Sequence, residues 1–192
     1  MATTATSSRV AGVEIPGYLA GTWKLDPVHS DVSFSVRHLM VSKVRGHFRS
    51  FDAEIVTGED LLASSVEASI DLSSIDTDNV DRDAHIRSTD FFDVERFPTM
   101  TYRSTGVRSD GDGLVVDGEL TLHGVTRSVP LQLEVNGYVV SPFGDTRAGF
   151  SARTEISRRD FGIDLDMPLE GGGVVVGDRI QVSIEIEAIL EQ

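Results

Sequence analysis

Cysteine is absent from this chain of 192 residues, which excludes disulfides, thiolate metal sites and cysteine nucleophiles. Basic residues are also few, since 17 lysines and arginines stand against 31 acidic residues and the formal net charge is −14. Nonspecific nucleic-acid binding is driven by a basic surface, so this charge balance argues against it. We therefore expect no nucleic-acid partner.

Long apolar runs are missing as well. No stretch approaches the roughly 18 apolar residues of a membrane-spanning helix. Residues 1–20 lack the basic start and continuous apolar core of a signal peptide. We therefore expect a cytoplasmic protein with a flexible N-terminal extension at residues 1–20 and one domain at residues 21–192. The hydrophobic content of 40% is enough for one sizeable core.

The chain does contain a succession of segments in which apolar and polar residues alternate. In the most informative segment, Phe34, Val36 and His38 share one face, and serines and an arginine occupy the other. Such alternation is typical of half-buried antiparallel strands. Many short strands with few helices between them predict an antiparallel barrel or a sandwich. The histidine on the apolar face favours a lined cavity as much as a packed core.

One expected strand, residues 44–56, departs from simple alternation. Phe48 and Phe51 are separated by an odd number of positions, yet both are apolar. We predict a bulge at Arg49–Ser50 that lets both rings point inward.

Residues 76–98 interrupt the strand pattern and predict a short helix. Asp76 or Asp78 can cap its N-terminus, and Asp81 can form a surface pair with His85. The segment also contains three clustered aromatic residues, Phe91, Phe92 and Phe97. The helix either caps one mouth of a barrel or is a connector whose rings complete the core.

Four segments resemble the YceI-like family, in that family's order: GTWKLDPVHSDVSFSVRHLMVSKVRGHF, RDAHIRSTDFFDVERFPTMTY, LTLHGVTRSVPLQL and SRRDFGI. The resemblance extends from Gly21 over nearly the whole remaining chain, so residues 21–192 are expected to form a YceI-like domain. It implies an all-β fold, namely a lipocalin-like, extended eight-stranded antiparallel β-barrel with a short capping helix. It also implies an elongated apolar pocket that binds polyisoprenoids or similar amphiphiles.

An eight-stranded barrel is just wide enough to be filled by its own side chains or to hold one slender ligand. We expect a long-chain polyisoprenoid, with an isoprenoid quinone or a prenyl phosphate as candidates, and no cofactor or metal. The residues predicted to bind the ligand are those that the alternation or the helix turns inward. They are Phe34, Val36, His38, Phe48, Phe51, Ile70, Phe91, Phe92, Phe97, Tyr102 and Phe150.

The polar end of the ligand needs an anchor, and three residues are candidates. His38 lies in phase at the end of its strand, and Arg158 and Arg159 follow another strand. The alternative for His38 is a hydrogen bond to backbone at a turn. For the arginines the alternative is a surface pair with Asp160 or Asp164.

The resulting function is binding of the lipid for carriage, storage or sequestration, without catalysis. Two alternatives stay open. One is an enzyme that acts on an isoprenoid-like substrate with His38 as acid or base, and the other is a stress-linked interaction module with a vestigial pocket. The segment around Gly149 lacks the second glycine of a nucleophile elbow, so no catalytic residue is predicted.

A second set of basic residues is expected on the outer face of one hairpin, if the strands around Val36 and Phe48 pair. This set comprises Arg37, Arg45, His47 and Arg49. It suits transient contact with an anionic membrane surface, and its alternative is pairing with acidic neighbours. The oligomeric state is open, and a homodimer is one option.

Overall fold

The computed structural model describes residues 8–10, 13–111, 113–165 and 175–191, with only the backbone described at residues 8–10, 13 and 14. Almost all regular structure in this part of the chain is β. The strands are β1 Ser8–Val10, β2 Val13–Ile15, β3 Gly21–Leu25, β4 Asp31–His38, β5 Ser42–Phe48, β6 Phe51–Thr57, β7 Ser65–Asp71, β8 Ile75–Asp76, β9 Thr99–Asp110, β10 Gly113–Leu122, β11 Val125–Ser128, β12 Leu131–Val140, β13 Thr146–Ser157 and β14 Val176–Leu190. Helix α1 spans Val80–Arg87, and short 3₁₀ turns lie at Leu61–Ala63, Leu72–Ser74 and Arg158–Phe161.

Eight antiparallel strands close into a barrel, in the order β3, β6, β7, β9, β10, β12, β13 and β14. Closure occurs because β13 pairs with β12 on one side and with β14 on the other. The predicted all-β, lipocalin-like barrel with one short helix is confirmed. The sandwich alternative is wrong, since the strands form one continuous ring.

Strand β14 is long because it has two neighbours on the same edge. Its first part, Val176–Glu185, pairs with β4, and its last three residues, Ala188–Leu190, pair with β3. The hairpin β4–β5 therefore branches from the closed ring and extends the wall beyond it. Strand β5 has a second neighbour, β8, only at His47 and Phe48.

The predicted bulge at Arg49–Ser50 is wrong. Strand β5 ends at Phe48 and β6 begins at Phe51, so the chain turns a corner there and changes neighbours. The backbone N–H of Arg49 donates to the Ser74 carbonyl at 3.1 Å, which fixes the corner. Both phenylalanines still face the barrel interior, as the spacing indicated.

Part of the N-terminal segment that we predicted to be flexible packs against the barrel. Strands β1 and β2 form a small hairpin, and Ile15 and Tyr18 after it are buried. The Tyr18 hydroxyl donates to the Gly58 carbonyl at 2.5 Å, and its ring lies edge-on to Tyr138. Residues 1–7, 11 and 12 lie outside the described residues.

One end of the barrel is packed solid around the single tryptophan. Trp23 is fully buried, and its indole N–H donates to the Thr57 hydroxyl at 2.7 Å. The small residues Ala148 and Ala188 and the ring of Phe150 pack around it. In the described part of the chain, no helix has the length and apolar character needed to cross a bilayer.

Candidate ligand-binding cavity

The other part of the barrel is hollow. A cavity of about 450 Å³ runs through it, lined mainly by apolar side chains from the ring strands, the β4–β5 hairpin and the segment around α1. This volume lies within the range of about 300–1,000 Å³ that is typical of small-molecule pockets.

The burial pattern of β14 shows where the hollow begins. Ile180, Val182, Ile184 and Ile186 all turn inward, yet each is only half-buried, because their inner ends face the cavity. Ala188, two positions further on, is fully buried against Trp23 and marks the packed end. In a filled core, all inward positions of the strand would have the burial of Ala188.

Most of the residues predicted from sequence line this cavity. From β4 and the strands around it come Phe34, Val36, His38, Phe48, Phe51, Ile70, Tyr102 and Phe150, and from the helical segment come Phe91 and Phe92. They meet because the strands that carry them are neighbours or face each other across the ring. The rings of Phe34 and Phe48 lie 5.8 Å apart, and Phe48 and Phe92 lie 6.3 Å apart.

Two predicted residues lie elsewhere. Phe97 packs edge-on against the imidazole of His123, at 4.9 Å between ring centroids, outside the cavity. Pro98 follows it directly and β9 begins at Thr99, so the chain has already left the helical segment. Arg159 is exposed within the 3₁₀ turn after β13 and does not line the cavity.

The helix is held in place by hydrogen bonds that the sequence did not reveal. Its N-cap is Asn79, whose side chain accepts from the Arg82 N–H, and neither Asp76 nor Asp78 takes that role. The buried carboxylate of Asp83 accepts from both the backbone N–H and the hydroxyl of Thr77. These contacts fix the face of α1 that meets the barrel.

At its C-terminal end, the helix is tied to the strand segment before it. The Arg87 guanidinium donates to the carbonyls of Ser73 and Ile75, each at 2.8 Å. Ile86, with Phe91 and Phe92 from the turn that follows, then faces the cavity. These rings pack against the core, as expected for a connector, and they also form a wall of the hollow.

The polar lining of the cavity consists of serine and threonine hydroxyls and of charged or imidazole groups, and the latter are mostly basic. Arg37, His38, Arg82, His85 and Arg158 line it, against one carboxylate, the exposed Asp52. Arg82 donates to the hydroxyl and carbonyl of Thr77 at 2.7 and 2.6 Å. This arrangement suits a ligand whose polar end accepts hydrogen bonds.

The sequence did not predict that His85 and Arg82 line a pocket, and it gave His85 a surface pair with Asp81 instead. His85 pairs with Asp90, at 2.9 Å between Nε2 and Oδ2, and not with Asp81. Arg82 was not singled out. Their partners, Asp90 in the turn after α1 and Thr77 between β8 and α1, do not follow from the helical period.

Arg158 has a structural role as well as a place at the cavity. Its buried guanidinium donates to the carbonyls of Ile163 at 2.6 Å and Gly177 at 3.2 Å. It thereby joins the segment after β13 to the start of β14.

The hydroxyl of Tyr102 is already satisfied within the barrel wall. It donates to the carbonyls of Val116 at 3.1 Å and Val129 at 3.0 Å, and burial raises its pKa. Tyr102 therefore presents its ring to the cavity and no free donor.

A cluster outside the cavity contains residue types that can bind metal. Ligand atoms of Asp26, His29 and Glu187 lie within 4.8 Å of one another. The guanidinium of Arg147 lies among them and donates to Asp26 at 2.8 Å and to Glu187. Because a fixed positive charge already occupies the carboxylates, the cluster is better described as an ion-pair network.

The chain matches known proteins over most of its length. The family model for the YceI-like domain matches residues 23–188. Protein YceI of Escherichia coli O17:K52:H18 is 38% identical over 152 residues, which cover 78% of this chain and 80% of that protein.

Solved structures share the fold. The YCEI protein of Campylobacter jejuni is 29% identical, with a TM-score of 0.67 over 88% of this chain and 97% of that one. A polyisoprenoid binding domain from Saccharophagus degradans is 18% identical, with a TM-score of 0.67 over 91% of this chain and 100% of that one. The sequence match and the barrel with its apolar cavity agree, and the chain belongs to the YceI-like family.

Proposed function

We propose that the barrel binds one long polyisoprenoid-type chain in its apolar cavity. The observation that carries the proposal is the row of inward but half-buried aliphatic residues on β14, Ile180 to Ile186, which surrounds space instead of filling it. A branched, slender hydrocarbon suits such a wall. The structurally similar domain of Saccharophagus degradans, which is described as polyisoprenoid-binding, supports the same ligand class.

Burial of the hydrocarbon alone can provide tight binding. Each methylene-sized group that leaves water contributes about 0.8 kcal/mol before the costs of association. At about 0.3 kcal/mol per heavy atom for a large ligand, a chain of about forty carbons reaches about −12 kcal/mol, which is about nanomolar. The polar end is then needed for orientation and selectivity more than for affinity.

The head group is best described as a hydrogen-bond acceptor, such as a phosphate or a quinone oxygen. The basic donors that line the cavity are Arg37, His38, Arg82, His85 and Arg158, in a protein whose net charge is −14. An excess of basic groups at an apolar cavity favours an acceptor or anion over a cation.

Carriage or storage is favoured over catalysis. The enzyme alternative needs His38 as acid or base, and a catalytic histidine is usually oriented by a carboxylate or another fixed partner. Within the described residues, no carboxylate lies within ion-pair distance of His38. In a module with a vestigial pocket, we would expect side chains to fill the space beside Ile184, but that space is open.

Filling the cavity tests the proposal. Val36→Trp places an indole in the hollow, and Ser35→Trp places the same group on the opposite face of β4. With a fluorescent prenyl alcohol delivered from cyclodextrin, we expect wild type and Ser35→Trp to bind and Val36→Trp to lose binding. If Val36→Trp binds normally and instead loses about 1–3 kcal/mol of stability, the interior is a packed core and the proposal fails.

A further inference from the structure

The tip of the β4–β5 hairpin presents apolar side chains to solvent. Met40 is 56% exposed and Val41 is 82% exposed, and Leu39 beside them is also exposed. Single exposed apolar residues are ordinary on protein surfaces, but three in succession at a protruding turn are not.

The tip also has an unfavourable backbone for its residues. Leu39 and Met40 have φ values of 51° and 61°, and the Val41 N–H closes the turn on the His38 carbonyl at 3.1 Å. Glycine, asparagine and aspartate adopt this left-handed conformation with least strain, and they are the residues favoured in such hairpin turns. Leucine and methionine therefore occupy the tip in spite of the turn geometry, which points to a role for their side chains.

Unpaired positive charge lies directly behind the tip. Arg37, Lys43 and Arg45 are exposed on the hairpin, and no carboxylate in the described part of the chain lies within ion-pair distance of them. Two other members of the predicted basic patch are paired, His47 with Asp31 at 2.7 Å and Arg49 with Asp76 at 3.0 Å. The free positive charge is thus concentrated toward the tip of a protein with a net charge of −14.

The hairpin forms part of the cavity wall. The inner sides of Val36, His38 and Val44 line the cavity, and the Leu39 N–H donates to the Val175 carbonyl at 2.9 Å. A surface that contacts the tip would therefore meet the protein beside the hollow.

We propose that this tip docks on anionic lipid bilayers. Leu39, Met40 and Val41 enter the interface, and Arg37, Lys43 and Arg45 contact the head groups. Apolar side chains combined with basic residues are the usual composition of a peripheral membrane-binding element. The docked barrel takes up or releases its lipid there, a step that rests on the proposed function.

A second exposed apolar turn provides a control. Phe143, in the turn between β12 and β13, is 91% exposed, and Val140 precedes it on β12. That turn lies at the other end of β14, since Arg147 pairs with Ile189 whereas His38 pairs with Val176. The basic residue nearest to it in the sequence, Arg147, is bound by three carboxylates.

Co-sedimentation with vesicles tests the docking. The vesicles contain phosphatidylcholine with or without phosphatidylglycerol. Three double variants are compared with wild type. The basic variant is Lys43→Ser with Arg45→Ser, the tip variant is Met40→Ser with Val41→Ser, and the control variant is Val140→Ser with Phe143→Ser. We expect binding only to the anionic vesicles, weakening with salt. Each removed basic residue should lower the partition coefficient about fivefold, the equivalent of about 1 kcal/mol. The Met40 and Val41 variant should also bind less than the control variant.

Equal vesicle binding by the tip variant and the control variant would overturn the proposal. A second result would also overturn it: sedimentation velocity without lipid that shows a dimeric wild type and a monomeric tip variant, because the tip would then bind a second copy.

Uptake of the prenyl alcohol from cyclodextrin separates the two proposals. If wild type fails to take it up but docks through the tip, the docking stands and the ligand proposal fails. If the tip variants take it up normally but do not dock, both proposals stand.

Discussion

The Cζ atom of Phe34 lies 2.6 Å from the point that a Cβ atom on Gly46 would occupy. The two residues are direct partners in the β4–β5 hairpin. Thr77 Cγ2, just before α1, lies 2.8 Å from the same point. The missing side chain thus lets the Phe34 ring lie along the cavity wall and lets the segment before the helix approach the hairpin.

Gly46→Ala should therefore lower the free energy of unfolding by about 1–3 kcal/mol, since both neighbours must move. Denaturant unfolding followed by the fluorescence of Trp23 measures it. Gly106→Ala, at a strand position with nothing within 4 Å of the new Cβ, is the matched control and should change stability by less than Gly46→Ala. Equal effects of the two substitutions would show that Gly46 is not needed for close packing.

Two tyrosine hydroxyls in the barrel should respond differently to removal. The Tyr102 hydroxyl donates to two carbonyls, whereas the buried Tyr138 hydroxyl has no hydrogen-bond partner among the described residues. Tyr102→Phe should cost about 1 kcal/mol, and Tyr138→Phe should be neutral or stabilising by about 1 kcal/mol. Thermal and denaturant unfolding measures the stability of the two variants. A larger loss of stability for Tyr138→Phe than for Tyr102→Phe would contradict this prediction.

The ion-pair network at Asp26 should contribute to stability in a defined pH range. Asp26 is 8% exposed, and hydrogen bonds from His29, the Val28 N–H and Arg147 lower its pKa to about 2. A lowered pKa stabilises the fold above the unfolded value of about 3.9, and this stabilisation is lost as the pH falls through about 2. Asp26→Asn should cost about 2 kcal/mol at neutral pH, and the difference from wild type should shrink between about pH 4 and 2. A difference that is constant with pH would contradict the assignment.

The contribution of His29, in the same network, depends on pH in the opposite direction. Its hydrogen bond and charge interaction with Asp26 raise its pKa. The contribution of His29 is therefore present below its ordinary pKa of about 6.5 and is lost as the pH rises through the folded value. His29→Asn should approach wild-type stability at alkaline pH. A deficit that persists there would show that the imidazole acts through packing and not through charge.

His38 should affect the head group and not the hydrocarbon. A lost hydrogen bond to a charged group costs about 1.5–3 kcal/mol, so His38→Ala should weaken binding of a prenyl phosphate about tenfold or more. Binding of the corresponding prenyl alcohol should change much less. His47→Ala, on the outer face of the same hairpin, serves as control. If both ligands weaken equally, His38 shapes the cavity and does not contact the head group.

The alternation of single strands predicted most of the cavity wall. Val36 and Ile70 could be placed because inward and outward positions follow the period of a strand. Alternation could not distinguish a barrel from a sandwich, since closure depends on the pairing of β13 with β14, far from the local pattern. The resemblance to a family, carried by four long segments, was needed for that step.

The side-chain networks could not be predicted, because their members are distant in the sequence. Arg147 on β13 contacts Glu187 on β14 and Asp26, which directly follows β3. The pairing of His85 with Asp90 instead of Asp81 depends on how the chain turns after α1. The cytoplasmic location and the homodimer option stay predictions.

Native mass spectrometry of the chain purified without detergent tests the lipid-binding proposal most directly. We expect wild type to carry one prenyl-class lipid, or to acquire one when incubated with a long prenyl alcohol, and Val36→Trp to carry none. A wild-type protein that stays ligand-free after this incubation, or a Val36→Trp variant that carries the same lipid, would contradict the assignment of the hollow as a polyisoprenoid site.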